Sequence, residues 1–200
     1  KEILLNLKVG QIPVSLSYEG KKANILWMKQ MRPGFGRVLN PSEVAEVLSL
    51  DLKDIDSRFA VQEVSTGLPS IIVPLKTREA LKKTRQDKEK MFALIKKTEA
   101  KVILVFCPEP YKSENDLNVR VFADYYGVPE DPATGSANGC LAGYLVKYRY
   151  FGGGKINARV EQGYEIGRPS LLLLRAKEKN GEIHVLVGGK VILIAKGELV

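Results

Sequence analysis

Strand-like alternation of apolar and polar side chains dominates this chain, and helical spacing is confined to a few segments. The runs 2–9, 12–17 and 24–30 alternate with a period of two and predict three strands, turning at Gly10 and at Glu19-Gly20. Pro33-Gly34-Phe35-Gly36 breaks the pattern, so a domain boundary is expected close after it. Asn40, Pro41 and Glu43 have the order of an N-cap, a first-turn proline and a capping-box acid. They predict a short helix through Val44, Val47 and Leu48. Arg58 to Val64 and Ile71 to Leu75 predict neighbouring strands around the turn at Gly67-Leu68-Pro69.

Asp87 predicts the cap of a helix reaching about Ala100, with Met91, Phe92, Leu94 and Ile95 as its apolar face. The wholly apolar run Val102 to Phe106 predicts a buried strand, and Val119 to Ala123 another. From Ser136 to about Tyr150 the chain is apolar nearly all round, through Leu141, Tyr144, Leu145, Val146 and Tyr148, as a helix enclosed by a sheet must be. Gly152-Gly153-Gly154 ends it. Asn157 to Gln162, Ser170 to Ala176, Glu182 to Val187 and Val191 to Leu199 alternate like strands. The fold class is therefore α+β, with a mixed or antiparallel sheet.

The chemistry concentrates at the entrance of the apolar helix, in Glu130-Asp131-Pro132-Ala133-Thr134-Gly135-Ser136-Ala137. The first N–H groups of a helix lack partners within it and carry the positive end of its dipole, so an uncluttered first turn is ready to hold an anion. Ala137, Asn138 and Gly139 keep this turn nearly free of bulk. Asp, Thr and Ser are also the usual helix caps, and capping needs no ligand. At this level both readings stand: a carboxylate or oxyanion cradle, or a well-capped helix.

Composition removes several function classes. No stretch approaches the roughly 18 apolar residues of a membrane span, and the first seven residues are too short for a secretory signal, so the expected location is cytoplasmic. Cys107 and Cys140 sit in apolar runs without metal-ligand spacing and read as small core residues, and no metal site is expected. The only histidine, His184, falls in an alternating run and reads as a sheet histidine. The formal charge is +8, and between Lys76 and Lys101 ten basic residues face four acidic ones. A solvated helix face accounts for that excess, with nucleic-acid binding as its rival.

Residues 130–137 resemble the signature of the PhzF-like phenazine-biosynthesis isomerase family, whose fold is that of diaminopimelate epimerase. Ser65-Thr66-Gly67-Leu68-Pro69 running into Ile71 to Leu75, Gln162-Gly163 with Gly167-Arg168-Pro169-Ser170, and Val187-Gly188-Gly189-Lys190-Val191 are similar to further family segments in the same order. The resemblance implies two pseudo-symmetric domains, each a curved sheet around a central helix, with the site in the cleft between them. Residues 1–37 with 186–200 would belong to the first domain and 38–185 would form the second. Family members also have an earlier stretch carrying a glutamate base, a Gly-Asn-Pro segment and a Gly-His motif. These have no counterpart here, so an N-terminal segment or a second chain is expected to complete the first domain.

The resemblance further implies an isomerase that uses no cofactor, moves a proton on a small carboxylate-bearing substrate, and pairs as a homodimer. Asp131 and Ser136 would be catalytic. Thr134, Gly135 and Ala137 would bind substrate, with Thr134 also read as the helix cap, and Gly135, Ser136 and Ala137 would act through their backbone amides. Glu130 is expected to be a solvated acid, and Arg168 to pair with an acid of the sheet or with a substrate carboxylate. Diaminopimelate epimerase works with a pair of thiols; residues 131–137 contain none, so oxygen acids should handle the proton. A protein that binds small carboxylates without turnover is the alternative, and nucleic-acid binding ranks last.

Overall fold

The computed structural model describes residues 2–20, 22–192 and 194–198. Twelve strands and four helices follow one another as β1 (Glu2–Leu7), β2 (Gly10–Glu19), β3 (Lys22–Lys29), β4 (Gly34–Val38), α1 (Pro41–Val47), β5 (Gln62–Ser65), β6 (Pro69–Pro74), α2 (Arg78–Lys83), α3 (Lys88–Ile95), β7 (Val102–Cys107), β8 (Leu117–Ala123), β9 (Val128–Asp131), α4 (Gly135–Lys147), β10 (Lys155–Gln162), β11 (Ser170–Lys179) and β12 (Glu182–Lys190). The strands form one mixed sheet in the order β1-β2-β3-β12-β11-β10-β8-β7-β6-β5-β4, with β9 paired to β8. The pairs β6·β7 and β8·β10 are parallel; the others are antiparallel.

The sheet curls around α4, which touches β5, β6, β7, β10, β11 and β12. Every α4 residue from Ala137 to Val146 is buried. On this side Ile72, Leu104, Phe106, Val119, Val160 and Leu174 meet Leu141, Tyr144 and Leu145. Burying Leu141, Leu145 or Val146 contributes roughly 1.5–3 kcal/mol each. On the opposite side Ile71, Val73, Ile103, Val105 and Phe122 pack against Val44 of α1 and its C-cap Leu48, Leu81 of α2 and Met91, Leu94 and Ile95 of α3. Successive residues of β6 and β7 thus feed two cores, and that is why both strands read as unbroken apolar runs.

Two glycines let the β3–β4 connection cross α4. A Cβ on Gly139 would lie 3.0 Å from Gln30 Oε1 and 2.9 Å from Thr66 Oγ1, and one on Gly143 would lie 2.6 Å from Pro33 Cγ. This close approach seats the chain between the first strands and β4 directly on the helix that carries the signature.

Several sequence expectations change. Gly34-Phe35-Gly36 is part of a strand, because Gly34 and Phe35 pair with Ser65 and Val64 of β5. The strand expected from Arg58 begins only at Gln62. Arg58 instead holds the nearly buried Asp56, with Nη2 2.6 Å from Oδ2, and this guanidinium keeps the Asp56 carboxyl below the usual range. Asn40 does cap α1 by accepting from Ser42 N, but Glu43 forms no capping box and pairs with Lys97 at 3.1 Å. Asp87 caps α3 as expected, yet the helix ends at Ile95, and α4 ends at Lys147. Phe92 turns outward at 41% exposure, whereas Met91, Leu94 and Ile95 are buried. Thr77 caps α2, a helix the pattern did not announce. The expected strand at Val191 to Leu199 has no regular structure over residues 191, 192 and 194–198, where Ile192 and Ile194 are exposed; Leu193 and Leu199 lie outside the described residues.

Candidate functional site

Asp131, the last residue of β9, and the N-terminus of α4 are joined by a three-residue link, so all five candidate residues fall within seven consecutive positions. Asp131 and Ser136 are half-buried, Gly135 is exposed and Ala137 is buried. The amides of Gly135, Ser136 and Ala137 make no hydrogen bond among the described residues, since the first intrahelical bond runs from Asn138 N to Thr134 O at 3.1 Å. A Cβ on Gly135 would meet nothing within 4 Å. Three donors without protein partners among the described residues therefore stand at the positive end of a thirteen-residue helix, with open space at Gly135 and Ala137 buried.

Thr134 occupies the N-cap position but its side chain makes no cap bond. Its hydroxyl donates to Asp131 Oδ2 at 2.5 Å, so the expected cap is instead a partner of the acid. The reason is a neighbour the linear reading gave no role. Gln162, the last residue of β10 and fully buried, donates from Nε2 to Asp131 O at 2.6 Å and to Thr134 Oγ1 at 3.0 Å. Its Oε1 accepts from Thr134 N at 3.2 Å and from Asn138 Nδ2 at 2.9 Å. Asn138 Nδ2 also donates to Thr134 O at 3.0 Å. Two carboxamides thus fix the loop that presents Asp131.

Glu130 corrects its expectation outright. It is 9% exposed at the side chain and forms a two-point ion pair with the 7% exposed Arg120, with Nε–Oε1 at 2.9 Å and Nη2–Oε2 at 2.7 Å. Arg120 Nη1 also donates to Leu81 O and Thr84 O at the end of α2, at 3.0 and 2.9 Å. Glu130 is therefore an anchor for β9 and faces away from solvent. Arg168 has an exposed side chain with no ion pair among the described residues, contrary to the expected pairing with a sheet acid. Gly163, directly after Gln162, has φ +82° and passes beneath Pro132, where a Cβ would lie 2.9 Å from Pro132 O.

Both cysteines are buried and neither forms a disulfide. Burial pushes the Cys107 thiol up to about 12 and the Cys140 thiol upward as well, so neither is a thiolate at neutral pH. Cys140 Sγ lies 3.6 Å from Thr66 Oγ1 and 3.5 Å from Leu68 O, inside the packing of α4. No group of three or more His, Cys, Asp or Glu side chains gathers to hold a metal among the described residues. Nor is any helix among them long and apolar enough to cross a membrane. A groove of about 470 Å³ is lined by Gly34, Phe35, Arg37, Glu63 and Lys97, among others, and by none of residues 131–137.

The sequence profile of the phenazine biosynthesis-like proteins, PhzC-PhzF, matches residues 1–197. An isomerase of Clostridium acetobutylicum, named as uncharacterized, is 27% identical over 197 residues, which cover 96% of this chain and 65% of that protein. The trans-2,3-dihydro-3-hydroxyanthranilate isomerase of Pseudomonas aeruginosa is 27% identical over 203 residues, 98% of this chain and 66% of its own length. The crystal structure of a Bacillus anthracis phenazine biosynthesis protein of the PhzF family superposes with a TM-score of 0.83 at 22% identity, over 96% of this chain and 69% of that one. The chain thus spans about two thirds of the length of these relatives, and the α+β, epimerase-like fold is shared.

Proposed function

Because the chain belongs to the phenazine biosynthesis-like (PhzC-PhzF) family, we propose that it is the signature-bearing part of an isomerase that shifts a proton on a small carboxylate-bearing substrate. The observation that carries this reading is the open first turn of α4, with the Gly135, Ser136 and Ala137 amides free beside Asp131. A substrate carboxylate seated on those amides would place its neighbouring C–H within the reach of Asp131. As the C–H bond breaks, the proton passes to an oxygen acid, Asp131 or the glutamate base that family members carry on an earlier stretch, and the electron pair moves through carbon onto the carboxylate oxygens. Donors already in place stabilise that charge more than bulk water does, because they need no reorganisation. Return of the proton to a different carbon, or to the other face, completes the isomerisation. Ser136 Oγ supplies a further hydrogen bond to the same anion, and Thr134 borders the substrate through its contact with Asp131.

No cofactor is required by this scheme. The division into residues 1–37 with 186–200 and 38–185, the homodimer and an additional segment completing the first domain belong to the same proposal. Support for a covering partner comes from β1, where Ile3, Leu5 and Leu7 are 38–46% exposed. A nucleic-acid partner has less support: within the basic stretch Lys82, Lys83, Lys88, Lys90 and Lys97 are paired with Glu79, Asp54, Asp124, Glu46 and Glu43.

The test is deuterium uptake by the complete natural polypeptide in heavy water, with trans-2,3-dihydro-3-hydroxyanthranilate and a panel of small hydroxy carboxylates as probes. Label at carbon is expected with the parent and a loss of about 100-fold or more with Asp131→Ala, the scale of a removed acid–base group. Carboxylate binding without any label in the parent would favour the non-catalytic alternative.

A further inference from the structure

We propose that Gln162 is a positioning residue for Asp131, acting by fixing the direction of the Thr134 hydroxyl; this inference rests on the reading of Asp131 as the acid that meets substrate. Gln162 is itself held on both sides, paired through its backbone with Ser170 of β11 and Val119 of β8. Its carboxamide has only one orientation that works. With Nε2 toward Asp131 O and Thr134 Oγ1, and Oε1 toward Thr134 N and Asn138 Nδ2, every contact joins a donor to an acceptor. Rotating the amide by half a turn would set oxygen against the Asp131 carbonyl at 2.6 Å and nitrogen against two donors.

The orientation of the amide then dictates that of the hydroxyl. Nε2 can only donate, so Thr134 Oγ1 accepts from it and must send its single proton elsewhere. Asp131 Oδ2, at 2.5 Å, receives it. One carboxylate oxygen is thereby occupied, while Oδ1 has no partner among the described residues and is left for substrate. Merely holding the loop would be met by the two Oε1 contacts; the Nε2 contact to the Thr134 hydroxyl adds direction.

Gln162→Glu keeps the size of the side chain but puts an acceptor where Thr134 meets a donor, so the hydroxyl proton turns away from Asp131. In the deuterium-uptake assay with trans-2,3-dihydro-3-hydroxyanthranilate, this variant and Thr134→Val are each expected to lower kcat by about 10–100-fold, with KM changed by less than about threefold, as for a misplaced reacting group. Thr134→Ser, which retains the hydroxyl, should lose clearly less than Thr134→Val. The double variant Gln162→Glu, Thr134→Val should be no slower than the slower single one, because both act through one bond. Multiplying losses in the double variant, or an unchanged kcat in Gln162→Glu, would overturn the proposal.

A structural arm decides the matter independently of turnover. Crystal structures of the parent and of Gln162→Glu are expected to show the Asp131–Thr134 contact in the first and its loss in the second, with α4 unmoved. Retention of that contact in Gln162→Glu would refute the positioning role. An absence of exchange in the parent would instead count against the isomerase reading alone. Should Gln162→Glu not fold, Gln162→Met, which removes the Nε2 donor without adding a charge, carries the same structural comparison, with loss of the Asp131–Thr134 contact expected and its retention refuting the role.

Discussion

Alanine in place of Gly163 is expected to cost roughly 3 kcal/mol or more, combining left-handed backbone strain with forced displacement of packed atoms. For a chain of this size that lowers the thermal unfolding midpoint by about 6–12 °C. At φ +82° the new Cβ would lie 2.3 Å from Arg168 O, 2.9 Å from Pro132 O and 3.1 Å from Pro132 Cα. All three are backbone atoms, so no side-chain rotation relieves them. Gly167 supplies the control: its φ is +70°, but a Cβ there would meet nothing within 4 Å. Gly167→Ala should therefore show only the strain, about 1–2 kcal/mol, and calorimetry of the two variants separates strain from collision. Equal effects at both positions would mean that Pro132 does not rest on Gly163.

The second large effect is expected from Arg120→Met. It leaves Glu130 as an unpaired charge at 9% side-chain exposure and removes the donor to Leu81 O and Thr84 O. Breaking a buried pair from one side typically costs about 3–5 kcal/mol. Removing both partners, as Arg120→Met with Glu130→Leu, should recover most of that loss, since no charge is then stranded. Denaturant unfolding of the two variants checks the order. Glu130 and Asp131 are consecutive residues of β9, so the single variant should also impair carboxylate binding.

How much of this was legible in the sequence varied with how local each interaction is. The buried helix announced itself through its composition, because a segment apolar on every side has to be enclosed. β6 and β7 did so because residues serving two cores are apolar without alternation. By contrast β4 consists of Gly34, Phe35, Gly36, Arg37 and Val38, a composition that breaks strands unless a neighbour supplies the pairing; Ser65 and Val64 supply it from some thirty residues away. At the other end the alternation of residues 191–198 implied a strand, yet no described strand lies there to pair with it.

The site divides in the same manner. Asp131, Thr134, Gly135, Ser136 and Ala137 are legible together because seven consecutive positions contain them. Glu130 was misjudged because its partner Arg120 stands on the antiparallel neighbour β8. The role of Gln162 is not legible in its motif, since its partners lie 24–31 residues away along the chain. Thr134, by its residue type, promised a cap; the nearby Gln162 amide and Asp131 carboxylate took its hydroxyl instead.

The central claim is that the first turn of α4 receives a carboxylate. An NMR titration of the complete protein with benzoate, set against its uncharged counterpart benzamide, addresses it directly. The amide resonances of Gly135, Ser136 and Ala137 are expected to move together and saturate with benzoate, to stay in place with benzamide, and to lose their response in Gly135→Phe, a substitution the open space at that position allows. Benzoate leaving those three amides unmoved, or moving them equally in Gly135→Phe, would contradict the claim.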